Sequence, residues 1–443
     1  MLRALFAIAL CSSLAALAVM ANGAETDETA QSSGQAINPV VQWNRNLLSI
    51  VRTPGQQPAT VHATRSFTIM HAAIYDSVNA IDRTHEPYLV HLIGVPAKTS
   101  QEAAANSAAH EILVALYPTL EQELDAAFQL SLVQIPDGRD KTMGILVGQI
   151  VAGQLLALRG NDGANAQPIP YIFGTAPGDY QPTPPNFPKQ PQFTHWSRVT
   201  PFALDSASQF RPGPPPALTS DSYGDAFNEL KSQGTANSPT ATADEALTGH
   251  FWNGAIQNYW NEIAQTASVA NNLTTAESAR LFALLNLSFA DGVIAFYDAK
   301  YTYNFWRPVT AIRAADTDNN PGTVADPNWL PEVGNTAPDP SYPGAHAVIS
   351  AAAAKVLSSF FETDRLAFNV TSEVLQGVDR SFTSFSTAAE EATVSRIFAG
   401  QHFSFDLTNG HDLGEQVAGF VVDNFLTPRH LNHEEGAQLE RRQ

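Results

Sequence analysis

An all-α protein of two helical bundles, with its chemistry in the second, is what this 443-residue sequence predicts. Apolar residues recur at three- and four-residue spacing through most of the chain, with few β-branched runs. One irregular stretch, 160–216, interrupts that pattern and holds 13 of the 29 prolines. The cationic and histidine motifs all lie beyond it.

Four segments carry the periodicity before the interruption: 59–81, 100–117, 120–132 and 141–159. They predict one antiparallel bundle. The interruption contains Pro182-Thr-Pro-Pro185 and Pro214-Pro-Pro216 and reads as a long crossover. Its aromatic residues (Tyr171, Phe173, Tyr180, Phe187, Phe193 and Trp196) predict that it packs on the helices. A second helical set follows at 223–233, 241–270, 275–306, 345–361, 364–380, 387–401 and 407–425. Between them, 319–342 is a polar, proline-rich loop. A faint internal echo sets Ala73-Ile-Tyr-Asp76 against Ala295-Phe-Tyr-Asp298, in keeping with two bundles.

The expected organisation is a signal peptide over 1–24, a first bundle over 25–159, the crossover over 160–221, a second bundle over 222–429 and a polar tail over 430–443. Arg3 supplies the charged start of the leader, 4–19 its apolar stretch and the small residues up to Ala24 its cleavage site, so export or secretion is expected. The single cysteine, Cys11, falls inside the leader, and a cleaved chain has no disulfide. The formal charge of −19 argues against nucleic acid or an anionic membrane surface as partner. Past the leader no uncharged apolar run reaches 18 residues, so no membrane span is expected. The basic residues of any anion site must then form a local positive pocket in an acidic shell.

Three blocks carry chemistry. Lys300 and Arg307 are separated by almost two helical turns, which places them on one face roughly 10 Å apart, with Pro308 ending the helix. Pro340-Ser-Tyr-Pro343-Gly344-Ala345-His346 is a turn opening an alanine-rich helix. Its small residues Gly344 and Ala345 let backbone amides approach an oxyanion, with His346 beside them. Ser395-Arg396 leads through five residues to His402 and through three more to Asp406. On a helix, Asp406 shares a face with His402 and can orient the imidazole. Taken singly, each basic residue reads as a solvated surface charge. Their order and chemistry together predict a site for a tetrahedral oxyanion.

The three blocks resemble, in this order, the motif set of the phosphatidic acid phosphatase type 2 and vanadium-dependent haloperoxidase superfamily: K-x6-RP, then PSGH, then SR-x5-H-x3-D. The first and third match fully, while Pro343-Gly344-Ala345-His346 stands where the family shows Pro-Ser-Gly-His. The stretch 278–313 is similar to soluble chloroperoxidase-like members. The resemblance implies that Lys300, Arg307 and Arg396 hold the equatorial oxygens of vanadate or phosphate. It makes His402 the axial vanadium ligand, or the nucleophile of a phosphatase, with Asp406 orienting it and His346 as acid/base.

Two departures matter. Gly344 supplies no side-chain donor where the family has serine, which puts cofactor affinity in question. Tyr297 and Asp339 stand where fungal chloroperoxidase carries aromatic residues near the halide, and a carboxylate there repels halide. Elsewhere, His71 lies in an apolar run and reads as a hydrogen-bonded core histidine. His195, His250 and His411 show no partner pattern. Trp252-Asn253-Gly254 is similar to a stretch near the acid/base histidine of the chloroperoxidases, and no role is assigned to it.

The resulting expectation is a vanadium haloperoxidase-like peroxidase that takes vanadate as cofactor and hydrogen peroxide with a halide or organic acceptor as substrates. A soluble acid phosphatase with no cofactor, acting on a phosphoester through His402, uses the same residues. A weakly active anion-binding protein is the third reading, allowed by the missing serine. The sequence does not give the oligomeric state.

Overall fold

The computed structural model describes residues 38–429; the predicted leader and the tail from His430 lie outside the described residues. Among the described residues there are thirteen α-helices and one two-stranded hairpin. In chain order the helices of the first half are α1 (Pro39–Arg52), α2 (Ala63–Asp82), α3 (Gln101–Leu116), α4 (Glu121–Val133) and α5 (Arg139–Arg159). After the irregular crossover come α6 (Asp221–Gln233), α7 (Ala243–Phe251), α8 (Ile256–Ala270), α9 (Thr275–Tyr303) and α10 (Pro308–Arg313). The chain ends with α11 (Ala345–Phe361), the antiparallel strands β1 (Phe368–Thr371) and β2 (Asp379–Phe382), α12 (Phe385–Phe398) and α13 (Ser404–Asn424).

Four expectations need correction. Helix α1 falls outside the expected set, although Pro39 at its first turn, the Asn38 cap and buried Val40, Trp43, Asn44, Leu47 and Leu48 spell an amphipathic helix. The expected helix over 364–380 is the β1–β2 hairpin. Phe368 and Val370 face inward while Asn369 and Thr371 face out, and Gly377 turns the chain at φ +74°. The segment 241–270 is broken between α7 and α8 at 252–255, because Glu373 of the hairpin loop accepts from the Ala255 amide (2.9 Å) and Asn258 (2.8 Å). Finally, the helix of Lys300 ends at Tyr303, where Asn304 takes a left-handed cap at φ +49°. Pro308 opens α10 as its first residue and ends nothing. Lys300 and Arg307 therefore do not share a helix face.

One contiguous hydrophobic core runs from Val40 to Leu426 through both halves, while a smaller cluster gathers Tyr223, Phe227, Trp306, Trp329 and Phe403. The crossover packs inward as expected, with Tyr180 and Trp196 buried and Phe187 exposed. Helix α9 and α5 are both long and apolar enough to cross a bilayer by length and composition, but α9 lies almost entirely inside the core.

The expected echo of 73–76 in 295–298 does not hold structurally, and a different register does. Arg65, Phe67, Asp76, Val78 and Ala80 of α2 recur at one constant separation as Arg280, Phe282, Asp291, Val293 and Ala295 of α9. Their aspartates do the same work. Asp76 accepts from the amides of Tyr88, Leu89 and Val90 at 2.6, 3.0 and 2.8 Å. Asp291 accepts from those of Phe202, Ala203 and Leu204 at 2.6, 2.7 and 2.7 Å. Asp298 instead pairs with Arg211. Trp43-Asn44 in α1 likewise answers Trp260-Asn261 in α8, and the two asparagines meet at 2.8 Å. His71 joins them, its Nε2 accepting from Asn44 at 2.8 Å and its ring stacked on Phe282, so it is the core histidine its neighbourhood predicts.

Glycine pairs repeat as well. Gly144 and Gly148 bring α5 onto α3, and Gly410 and Gly414 bring α13 onto α11. A Cβ at Gly414 would lie 2.1 Å from the Val348 carbonyl, so Gly414→Ala forces α13 away from α11. A loss of about 1–3 kcal/mol is expected, and a lowered thermal melting temperature checks it.

Candidate active site

Five basic side chains far apart in sequence meet at one cavity of about 240 Å³, lined by Lys300, Arg307, His346, Arg396 and His402 together with Asp339 and Ala345. Each arrives by a different local device. Lys300 is in the last turn of α9; Arg307 caps α10; His346 is the second residue of α11; Arg396 is in the last turn of α12; and His402 lies in the link to α13. Lys300, Arg307, Arg396 and His402 are at most 5% exposed.

Asp406 meets His402 by a route the spacing did not show. His402 precedes α13 and Asp406 is in the first turn of that helix, where Asp406 Oδ2 accepts from the Phe403 amide (3.2 Å) and from His402 Nδ1 (3.0 Å). The carboxylate thereby fixes the tautomer: Nδ1 carries the proton and the Nε2 lone pair faces the cavity. Arg307 Nη1 lies 3.3 Å from that Nε2. Burial, then Arg307 and Lys300, hold the His402 ring well below the usual imidazole range, so it is neutral. Burial also pushes the Asp406 carboxyl up to about 6, against the Ser341 hydroxyl and Lys300.

His346 donates from Nε2 to the Trp252 carbonyl at 2.9 Å. The carbonyls of Trp252 and Gly254 favour a protonated ring, yet burial, followed by Arg396, holds it well below its ordinary value. An anion brought to the cavity opposes the Arg396 effect and draws a proton to this ring.

Arg396 donates Nη2 to Asn253 Oδ1 at 3.1 Å, while its buried Nε and Nη1 have no partner among the described residues. Buried guanidinium donors without acceptors are costly, and a tetrahedral oxyanion satisfies them. Burial, then Arg307, pushes Arg396 down to about 9, and burial pushes Lys300 down to about 8. Gly344 caps α11 with no side chain, which leaves first-turn amides such as that of Ala345 as oxyanion donors. The amide of Gly344 itself is not among them, because it donates to the Asp406 carbonyl at 2.9 Å. A Cβ at this position would lie 3.0 Å from Leu407 Cδ2, so a motif serine would require Leu407 to move. The donor set, three cations with one imidazole lone pair, fits vanadate or phosphate.

Ser341, His62 and Gln192, in or beside the cavity, escaped sequence reasoning. Ser341 donates to Asp406 Oδ2 and stands 3.4 Å from His402 Nδ1, bracing the pair. His62, the cap of α2, and Gln192 of the crossover form part of the wall, so the first half and the crossover contribute to a site built on the second. Burial pushes His62 down to about 4. The loop Trp252-Asn253-Gly254 anchors both His346 and Arg396. Sequence similarity singled this stretch out without a role; the break after α7, hidden by the expected continuous helix, gives it one. Asn253→Ala should weaken oxyanion binding about tenfold through loss of the one Arg396 anchor, with an unchanged melting temperature; isothermal titration with orthovanadate reads it. His195, His250 and His411 pair with the Ala164 carbonyl, Glu332 and Glu415, and none lines the cavity.

The chain is similar to known proteins. A family model described as the VCPO second helical-bundle domain matches residues 280–430. The vanadium chloroperoxidase of Curvularia inaequalis is 24% identical, with 66% of this chain and 61% of that protein aligned, so the chain spans about 61% of that relative's length. A bacterial vanadium-dependent iodoperoxidase of known structure is 26% identical, with a TM-score of 0.74 over 88% of this chain and 97% of its own. The holo form of a bacterial vanadium-dependent chloroperoxidase shares the fold at 16% identity, with a TM-score of 0.64 over 89% and 94%.

Proposed function

From the premise that this chain belongs to the vanadium haloperoxidase-like family, we propose that it is a vanadate-dependent peroxidase. It uses hydrogen peroxide to oxidise a halide or a small organic acceptor. One oxygen of the peroxide passes to the acceptor and the other leaves as water. The reading is carried by a neutral imidazole lone pair, held by Asp406, that shares a cavity with three cations, two donors of Arg396 having no other partner among the described residues.

His402 would ligate vanadium through Nε2, and Lys300, Arg307 and Arg396 would hold the oxyanion's oxygens. Bound vanadate supplies Lewis-acid activation of the peroxide. The protein's contribution is electrostatic preorganisation by buried side chains. The cations withdraw negative charge, which favours attack by an electron-rich acceptor. His346, neutral and anchored through Nε2 at Trp252, takes a proton from peroxide and returns it to the departing oxygen. The cavity volume of about 240 Å³ is below the usual range for drug-sized ligands, which favours a halide or a compact acceptor. We further propose that the protein is exported and acts outside the cytoplasm, as its leader-like 1–24 segment suggests.

The test is to titrate the purified protein with orthovanadate, then assay iodide and bromide oxidation with peroxide beside hydrolysis of a generic phosphomonoester. Vanadate-dependent halide oxidation supports the proposal. Hydrolysis without vanadate would replace it with a phosphatase using His402 as nucleophile. Tight anion binding with neither activity would leave an anion-binding protein.

A further inference from the structure

We infer that Asp339 is a specificity-determining residue that turns the cradle against doubly charged tetrahedral oxyanions, phosphate and phosphomonoesters among them, and towards singly charged ones such as orthovanadate. This rests on the oxyanion-site reading above and adds a selection rule to it.

Asp339 is a buried carboxylate lining the same cavity as the cations. Its Oδ1 pairs with Arg307 Nη2 and lies 3.4 Å from Lys300 Nζ, so it touches two of the three cations and leaves Arg396 alone. Its own carbonyl accepts from Arg307 Nε at 2.7 Å. Its Oδ2 accepts from Gln192 Nε2 at 3.2 Å and from the Tyr297 hydroxyl at 3.4 Å. Held on both oxygens, the group cannot swing out of the cavity when an anion enters. Burial alone would push the carboxyl up, but Lys300 and Arg307 hold it below its ordinary range, so it stays charged.

A fixed negative charge beside the cradle repels a bound anion in proportion to that anion's charge. A phosphomonoester is largely doubly charged at neutral pH, whereas orthovanadate keeps its second proton to higher pH. The same carboxylate therefore penalises the first more heavily than the second. It also orients the Arg307 fork, so the selection comes without loss of preorganisation.

The probe is Asp339→Asn, which keeps the acceptor towards Arg307 and removes the charge; Gln192 can rotate its amide to meet the new NH2. Affinities for tungstate, doubly charged, and perrhenate, singly charged, are measured by calorimetry at one pH in wild type and variant. Because neither anion titrates near neutrality, a change in the ligand's own protonation cannot mimic the effect. D339N should raise the tungstate-to-perrhenate affinity ratio by about tenfold, and phosphate should gain on orthovanadate in the same direction. A ratio unchanged within about threefold, or lowered, overturns the assignment. Should D339N not fold, wild type alone decides: tungstate bound more than about tenfold tighter than perrhenate rules the penalty out, and a smaller advantage supports it. If wild type binds neither orthovanadate nor perrhenate, the oxyanion site itself fails; if it binds both and D339N leaves the ratio alone, only the role of Asp339 falls.

Discussion

His402→Ala loses tight vanadate binding by at least about 100-fold, and peroxide-dependent turnover disappears with it. The size follows from what the side chain supplies. His402 Nε2 offers a neutral nitrogen lone pair among cations, while Nδ1–H is tied to Asp406 at 3.0 Å. Lysine and arginine donors hold oxygens but cannot bond to vanadium, and the other imidazole of the cavity, His346, is tied through Nε2 to the Trp252 carbonyl. The substitution leaves Asp406 braced by Ser341 and the Phe403 amide, so the start of α13 should persist and the melting temperature should stay close to wild type. Calorimetric titration with orthovanadate, beside a thermal melt, checks both halves. Vanadate affinity retained in a folded H402A protein would remove His402 as the ligand.

The second large effect separates binding from chemistry. His346→Ala should lower turnover by about 10²–10⁴-fold, the usual contribution of a positioned acid/base group, while vanadate affinity stays within about threefold of wild type. The ring is anchored to the Trp252 carbonyl and sits beside Arg396, and the cations that hold the oxyanion do not depend on it for position. Wild-type vanadate uptake should be accompanied by proton uptake, because the incoming anion opposes Arg396 at this ring; H346A should take up fewer protons. Titration in buffers of different ionisation enthalpy measures that count. Equal loss of affinity and turnover in H346A would show that the ring holds the oxyanion and leaves proton transfer elsewhere.

The cationic constellation was legible because its chemistry is rare: three basic residues and two histidines in ordered blocks suit few tasks besides holding an oxyanion. Its geometry was less so. Lys300 and Arg307 reach one cavity from opposite sides of the helix end at Asn304, and His402 meets Asp406 across a helix start. Linear spacing reported proximity correctly and the path wrongly in both cases. The hairpin at 368–382 was hidden because four-residue strands give too short an alternation to compete with a helical reading. Asp339 was visible as an oddity, but its ion pairs with Lys300 and Arg307 depend on the proline-rich 319–342 loop folding back over α9. His62 and Gln192 carried no local signal at all, since their importance comes only from where distant segments dock.

The recurrence of Gly144 and Gly148 as Gly410 and Gly414, and of Asp76 as Asp291, describes one mechanical plan used twice in the chain. Where α13 starts with Asp406 behind His402, α5 starts with Asp140, whose carbonyl takes the Ser100 amide just as that of Asp406 takes the Gly344 amide. The earlier copy thus keeps the joinery without the reagents. Substitutions at that α3–α5 contact should register as heat sensitivity with little change in chemistry, since the first half reaches the cavity elsewhere, through His62 at the start of α2.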